Sequence, residues 1–154
     1  MRMNLTLSRI FIGLLLMITF TVSAQTKKSA TLNHIAVYVY DLKKSTDFYK
    51  GIIGLTVIPE PFHDNKHTWF KIGEHSQLHL IQGATSIADH DKNSHLCFSV
   101  SSMDSFIAVL NKNKIWFGNW AGNTNTITTR PDGVKQIYFK DPDGYWIEIN
   151  NDTY

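Results

Sequence analysis

The chain has 154 residues, of which 15 are Lys or Arg and 13 are Asp or Glu, so its net charge is +2. A chain of this length and charge is long enough to bury the core of one domain, and it lacks the basic stripe that nucleic-acid binding requires. The single cysteine, Cys97, excludes an internal disulfide.

The first 24 residues have the pattern of a signal peptide. Arg2 and Arg9 give a positive start, residues 10–20 are almost entirely apolar, and Val22-Ser23-Ala24 supplies the small residues of a cleavage site. That apolar run is too short to cross a bilayer, which takes about 20 residues in a helix. We therefore expect an exported protein, periplasmic or secreted, that makes no stable membrane insertion and begins near Gln25. An uncleaved anchor is the alternative.

Residues 25–31 are polar and predict a flexible lead-in to a single domain over residues 32–152. The first module of this domain, residues 32–83, has the order strand, helix and three strands. We predict a first strand over 32–39, a helix that Asp41 caps and that ends near Gly51, a strand over 55–59, and a hairpin of the strands 68–72 and 77–81.

The second module, residues 93–152, repeats that order. We predict a strand over 94–100, a helix capped by Ser101 or Ser102, a short strand over 115–117, and a hairpin of the strands 134–140 and 145–150. The hairpin turns at residues 141–144, Asp-Pro-Asp-Gly, for which we expect turn geometry alone. The polar stretch 118–133 is a long loop, and long loops in compact domains often contact ligands.

Two stretches of the chain repeat one another and bring four potential metal ligands into register. Residues 33–37 resemble residues 94–98 at an offset of 61, and Phe70-Lys71 matches Phe139-Lys140 at an offset of 69. The ligands that these two offsets pair are His34 with His95, and His79 with Glu148.

Strand alternation predicts that these four side chains point the same way. Successive side chains on a strand face opposite sides, and each candidate ligand lies opposite the aliphatic face of its strand. The aliphatic faces are expected to pack against the helices. The sequence thus predicts an α+β fold in which tandem βαβββ modules form a curved, partly closed mixed sheet around a metal cavity, with the helices outside.

Three imidazoles and one carboxylate are a donor set for one divalent transition metal, with positions left for water or substrate. The ligand types do not distinguish Zn, Ni, Co, Mn and Fe(II). For any one of the histidines alone, the alternative is a structural hydrogen-bonding role. Cys97 is expected to pack rather than to bind the metal.

Four further residues are candidates for binding a small-molecule substrate. Trp69, Trp120 and Tyr138 offer apolar and stacking surface, and Arg130 offers a partner for a carboxylate or phosphate. Core packing is the alternative for the aromatic residues.

Motifs at both ends of the domain resemble those of the vicinal oxygen chelate superfamily. They are residues 32–37, Asp41-Leu42, Phe48-Tyr49, Gly54-Leu55 and residues 139–148. The resemblance covers about residues 32–151, and it implies tandem βαβββ modules that hold a metal between them, in a homodimer with shared sites. Glyoxalase I and the fosfomycin-resistance enzymes are similar at His34, His95 and Glu148. Glyoxalase I usually has a glutamate where this chain has His79.

From these ligands we expect a metal-dependent lyase or isomerase of the glyoxalase I type. It would act on a small oxygenated substrate through a metal-bound enediolate, with Glu148 as the group that moves the proton. The alternatives are an antibiotic-like binding and sequestering protein, or a thiol-transferase resistance protein of the same fold. The sequence identifies neither the substrate nor a thiol cofactor.

Overall fold

The computed structural model describes residues 29–153. The predicted signal peptide, residues 1–24, and the first part of the predicted lead-in lie outside the described residues. Among the residues that are described, no helix combines the length and the apolar character needed to cross a membrane.

The first module has one helix and a four-stranded mixed sheet. Its elements are β1 His34–Val39, α1 Leu42–Phe48, β2 Thr56–Ile58, β3 His67–Lys71 and β4 Gln77–Gln82. The strand order is β1-β4-β3-β2, with β1 and β4 parallel and the other pairs antiparallel. This arrangement leaves β1 at one edge of its sheet.

The first helix begins after a capping aspartate and ends at a glycine. The Asp41 carboxylate accepts a hydrogen bond of 3.0 Å from the backbone N–H of Lys44, as predicted for an N-cap. The helix continues as a π-helical turn over Tyr49–Ile53. It stops at Gly54, whose φ of +84° lies in the left-handed region that glycine adopts without strain.

The second module repeats this topology. Its elements are β5 His95–Ser99, α2 Met103–Lys112, β6 Thr128–Thr129, β7 Lys135–Lys140 and β8 Trp146–Asn150, in the sheet order β5-β8-β7-β6. Ser102 caps α2 by accepting a hydrogen bond from the N–H of Ser105. The α+β class with tandem βαβββ modules is therefore confirmed, as two four-stranded sheets.

The predicted strand over residues 115–117 is wrong. The chain forms isolated bridges only at Gly118, one to Thr124 and one to Tyr138, with which Gly118 exchanges backbone hydrogen bonds of 2.9 and 2.8 Å. It then turns back on itself, and Thr128–Thr129 pairs with the beginning of β7. Two short segments of the long loop, at Gly118 and at Thr128–Thr129, therefore pair with the edge of β7. No periodicity in the sequence predicts that the loop pairs at two separate places.

The aliphatic faces of the strands form the core, as strand alternation predicts. Six side chains on these faces are at most 2% exposed: Val37, Val39, Leu78, Leu80, Ile147 and Ile149. Ile35, Leu96 and Phe98 on the same faces are partly buried against them. Phe106 and Leu110 of α2 belong to the same apolar cluster. The opposite faces are left free to carry polar side chains.

The turn at residues 141–144 joins the two modules, so the expectation of turn geometry alone is wrong. Asp141 and Asp143 are only 6% and 3% exposed. Asp141 accepts a hydrogen bond of 2.8 Å from the Tyr49 hydroxyl, and Asp143 accepts one from the Ser45 hydroxyl. These contacts join α1 and its π-helical turn, in the first module, to the last hairpin of the second.

Gly144 in this turn is expected to tolerate no side chain. Its φ is +89°, and a Cβ atom would lie 2.1 Å from the carbonyl oxygen of Ala88. We expect Gly144→Ala to lower the free energy of unfolding by about 3 kcal/mol, from the positive φ together with the backbone clash. Gly133 is the matched control, because its φ is also +89° but a Cβ atom there would have no neighbour within 4 Å.

Urea unfolding of both variants checks this expectation. Gly133→Ala should lose only the cost of the left-handed conformation, about 1 kcal/mol. Equal losses in the two variants would show that the Ala88 contact relaxes freely.

Candidate functional site

The four predicted ligands form two pairs that occupy equivalent positions. In the first module β1 pairs with β4 so that Ala36 lies opposite His79, two residues beyond His34. In the second module β5 pairs with β8 so that Cys97 lies opposite Glu148, two residues beyond His95. The duplication inferred from the sequence is thus present in the strand register.

In the second module, a histidine, a glutamate and a tyrosine are in contact. The Nε2 atom of His95 lies 3.2 Å from Oε2 of Glu148. The Tyr138 hydroxyl donates a hydrogen bond of 2.7 Å to the same oxygen. We call His95, Glu148 and Tyr138 the polar triad.

Glu148 is ionised and held in one orientation. Burial alone would raise its pKa, but hydrogen bonds from Tyr138, Asn150 and Cys97, with the charge of His95, outweigh burial and lower the pKa below its usual value. Asn150 and Cys97 donate to Oε1 over 3.1 and 3.4 Å. A carboxylate with this pKa suits metal ligation, which requires the deprotonated form.

The Tyr138 hydroxyl donates its proton to Glu148, so towards its other neighbour, Gln136, it can only accept a hydrogen bond. The Gln136 amide must therefore donate its N–H to the Tyr138 oxygen. That leaves Oε1 of Gln136 buried without a partner. If Glu148 were protonated, it could donate to the Tyr138 oxygen, and the Tyr138 hydroxyl could then donate to Oε1 of Gln136. The unpaired Gln136 oxygen therefore follows from the ionised state of Glu148.

The tautomer of His95 follows from its other nitrogen. Nδ1 lies 2.7 Å from the backbone carbonyl of Lys92, which can only accept, so Nδ1 carries the proton. Neutral His95 then directs the lone pair of Nε2 at a carboxylate oxygen. Two lone pairs at 3.2 Å repel unless a cation lies between them, either a proton on Nε2 or a metal ion.

The separation of these two donors fits a metal ion. Two ligands about 2.1 Å from a metal that subtend roughly a right angle at it are about 3 Å apart. The Nε2 to Oε2 distance is close to this value. His95 and Glu148 therefore fit two adjacent positions of one divalent cation.

The equivalent residues of the first module form a stack of rings. The His79 ring lies parallel to Trp69, with centroids 3.9 Å apart, and to His34, with centroids 4.3 Å apart. Burial lowers the pKa of His79, and the nearby His34 and His67 lower it further, so its ring is neutral at physiological pH. We call Trp69, His79 and His34 the ring stack.

His79 differs from His34 and His95 in which ring nitrogen makes a polar contact. His34 uses Nδ1 to contact Asn33 over 2.8 Å, as His95 uses Nδ1 to contact Lys92. In both residues, Nε2 is therefore the nitrogen left to act as a metal donor. His79 instead uses Nε2, which lies 2.8 Å from Oε1 of Gln77. The donor geometry thus groups His34 with His95.

The two pairs do not form one cluster. Within residues 29–153, no three His, Cys, Asp or Glu side chains are close enough together to hold a metal ion. A cavity of about 160 Å³ lies between β1 and β5, lined by Ala36 on one side and by His95 and Trp146 on the other. The convergence of all four ligands on one ion stays a prediction.

The four predicted substrate-binding residues lie in different surroundings. Trp69 belongs to the ring stack and Tyr138 to the polar triad. Trp120 is 44% exposed, and its ring lies 5.4 Å from that of Tyr138. Arg130 forms ion pairs with Asp132 and Asp152, the second at 3.6 Å. The roles of all four in substrate binding stay predictions.

The sequence did not single out Lys92, Gln136 or Asn150, which complete the surroundings of the polar triad. Gln136 and Asn150 share the face of Glu148 by strand alternation, so their approach to it could have been inferred. Lys92 precedes β5 in a turn, and no pattern in the sequence indicates where its side chain lies.

Two βαβββ modules in one chain, with a histidine and a glutamate on neighbouring strands, define a vicinal oxygen chelate protein. The sequence model of the Glyoxalase/Bleomycin resistance protein/Dioxygenase superfamily matches residues 31–149. The chain belongs to this superfamily.

Several proteins are similar to the chain over much of its length. It is 27% identical to the metallothiol transferase FosB of Staphylococcus epidermidis over 132 residues, which cover 80% of this chain and 82% of that protein. It is 33% identical to human mitochondrial methylmalonyl-CoA epimerase over 95 residues, 54% of each chain. A glyoxalase/dioxygenase structure from Nostoc punctiforme has a TM-score of 0.64 at 27% identity, covering 80% of this chain and 92% of that one.

Proposed function

We propose that the protein is an exported, metal-dependent lyase or isomerase of the glyoxalase type that acts on a small oxygenated substrate. Membership of a superfamily with metal-dependent enzymes supports an enzymatic role. The observation that carries the proposal is the distance of 3.2 Å between His95 Nε2 and Glu148 Oε2, which suits two ligands of one metal ion.

His95 and Glu148 would hold a divalent transition metal, with His34 as a further ligand through its free Nε2. When bound, such a metal polarises substrate oxygens and stabilises negative charge that develops on them. The chain's own contribution is orientation. Tyr138 and Asn150 fix the carboxylate, and the Lys92 carbonyl fixes the imidazole.

Proton transfer by Glu148 belongs to the same proposal. A general base works best with a pKa near the operating pH, whereas the pKa of Glu148 is lowered. Its hydrogen bonds therefore favour the ligand role, and proton transfer would require that Tyr138 or Asn150 release it.

A third ligand must reach His95 and Glu148 for this site to be complete. His34 lies in the other module, and the described residues of one chain bring no three donors together. We propose a homodimer, in which a second copy supplies the missing ligand. Sedimentation of the protein with and without metal tests this, and a monomer that retains stoichiometric metal would contradict it.

Elemental analysis tests the proposed function directly. The protein is purified without chelators, and we expect about one transition-metal ion per chain. His95→Ala should lose this metal, whereas His75→Ala should keep it, because His75 is exposed and belongs to neither pair. Wild-type protein without metal, and unable to take it up, would contradict the proposal.

A thiol-transferase resistance protein is the second candidate, favoured by the similarity to FosB. The two candidates differ in what the metal-loaded protein consumes. A transferase would consume a thiol in step with an electrophilic substrate, whereas a lyase or isomerase would convert a hydroxy-carbonyl compound with no net loss of thiol. Retention of ligand binding in metal-free protein would instead favour sequestration.

A further inference from the structure

The ammonium group of Lys92 lies among three aromatic rings. Its Nζ atom is 4.3 Å from the ring centroid of Trp146 and 5.6 Å from the centroids of Trp120 and Tyr138. The rings attract the cation through their negative faces. The long loop of the second module supplies Trp120, and β7 and β8 supply the other two rings. We call these three residues the aromatic cage.

Among the residues that the structure describes, Lys92 has no carboxylate within ion-pair distance, unlike the other cations nearby. Arg130 is paired with Asp132, and Lys140 with Asp89. The Lys92 ammonium makes one hydrogen bond, of 2.9 Å, to the backbone carbonyl of Trp120. Because an ammonium has three N–H donors, two remain for another acceptor.

Lys92 also contacts the polar triad. Its backbone carbonyl orients His95. Its ammonium faces the ring of Tyr138, and the hydroxyl of that ring donates to Glu148. The Tyr138 ring lies 5.7 Å from that of His95. One tyrosine thus separates the ammonium from the candidate metal ligands.

We propose that Lys92 is the anion-binding residue of this site and that the substrate is a small carboxylate with a second oxygen beside the carboxyl group. The proposal rests on the proposed function for the second oxygen, which the metal would bind. The carboxylate would take the two free N–H groups of Lys92.

The cage explains how a lysine can do this. Cation–π contacts hold the flexible side chain in place, yet they leave its positive charge uncompensated, whereas a carboxylate partner from the chain would neutralise it. A substrate carboxylate therefore meets a cation already positioned and partly desolvated. Arg130 cannot offer the same, because its guanidinium already forms ion pairs with Asp132 and Asp152.

Oxalate binding to zinc-loaded protein tests this proposal, with tryptophan fluorescence as the signal, since two of the four tryptophans, Trp120 and Trp146, belong to the aromatic cage. We expect Lys92→Met to bind oxalate about 10- to 100-fold more weakly, as the loss of a charge-assisted hydrogen bond predicts. Lys92→Arg should retain most of the affinity because it retains the charge. Lys112→Met is the matched control, since it removes the same charge from the exposed end of α2.

Zinc content and the thermal melting curve are measured for every variant. The first shows whether the metal site is lost, and the second shows whether the fold is lost. Unchanged oxalate affinity in zinc-loaded Lys92→Met would overturn the role of Lys92 and leave the proposed function standing. Failure of the wild type to bind zinc or any other divalent transition metal would overturn the proposed function, and the oxalate titration of metal-free wild type and Lys92→Met would then decide the role of Lys92. Fluorescence quenching by tetramethylammonium rather than oxalate would show that the cage accepts a cation, which also overturns the proposal.

Discussion

Replacing Glu148 by Gln is expected to weaken metal binding by more than about 100-fold and to abolish turnover. Loss of a group that merely orients a metal ligand costs about 10- to 100-fold in affinity, so loss of the ligand itself should cost more. The substitution keeps the shape of the side chain but removes its charge. It also places an amide N–H₂ where Tyr138 or Asn150 now donates.

Isothermal titration of zinc into metal-free protein measures this loss. Glu74→Gln is the control, because Glu74 is exposed and its carboxylate contacts only the exposed His75. Melting curves of the metal-free variants show whether the fold is intact. Zinc affinity within a few-fold of wild type in Glu148→Gln would remove Glu148 from the ligand set, and normal turnover would remove it from proton transfer.

Much of the fold could be predicted because the sequence contains an internal repeat, with one copy in each module. The two offsets of the repeat fix which strands are equivalent, and strand alternation then assigns each side chain to a face. Both inferences depend only on local periodicity. The equivalent strand registers of the two modules confirm the first, and the place of Leu80 and Ile149 in the apolar core agrees with the second. The strand over 115–117 failed because an edge strand has few partners, so its position depends on the loop that follows.

The site could be predicted less completely, since its character depends on side-chain contacts that form only in the folded modules. Equivalent positions hold Trp69, His79 and His34 in one module and Tyr138, Glu148 and His95 in the other. The sequence shows four nitrogen or oxygen donors in register, but it does not show that the first set stacks while the second forms hydrogen bonds. Ring geometry decides this, and it is a property of the folded chain.

The same limit applies to the turn at residues 141–144. Its Asp-Pro-Asp-Gly sequence satisfies turn rules completely, so nothing in it suggests a further role. Asp143 nevertheless accepts hydrogen bonds from Tyr40 and Ser45, which lie 103 and 98 residues earlier. Contacts at that separation appear only once both modules have folded.

Asp143→Ala is accordingly expected to lower the free energy of unfolding by about 3 kcal/mol, or roughly 10 °C in Tm. The substitution leaves two donors without a partner: the Ser45 hydroxyl, which is fully buried, and the Tyr40 backbone N–H, now 2.6 Å from the carboxylate. A buried donor such as the Ser45 hydroxyl costs about 1–3 kcal/mol when it is left unsatisfied. The bond from the part-buried Tyr40 N–H to a carboxylate is charge-assisted, and such bonds are worth about 1.5–3 kcal/mol. Urea unfolding at neutral pH measures the sum.

Two further variants separate this effect from a general loss of charge. Asp143→Asn keeps an acceptor for Tyr40 and an amide that can donate to the Ser45 oxygen, so it should lose about 1 kcal/mol. Asp47→Ala breaks only the exposed pair with Lys43 and should change stability by less than about 0.5 kcal/mol. Because Asp143 joins α1 to the last hairpin, its loss should destabilise both modules together in one transition. Two separate transitions in wild-type protein would show instead that each module holds its own fold, and that the turn contributes little to either.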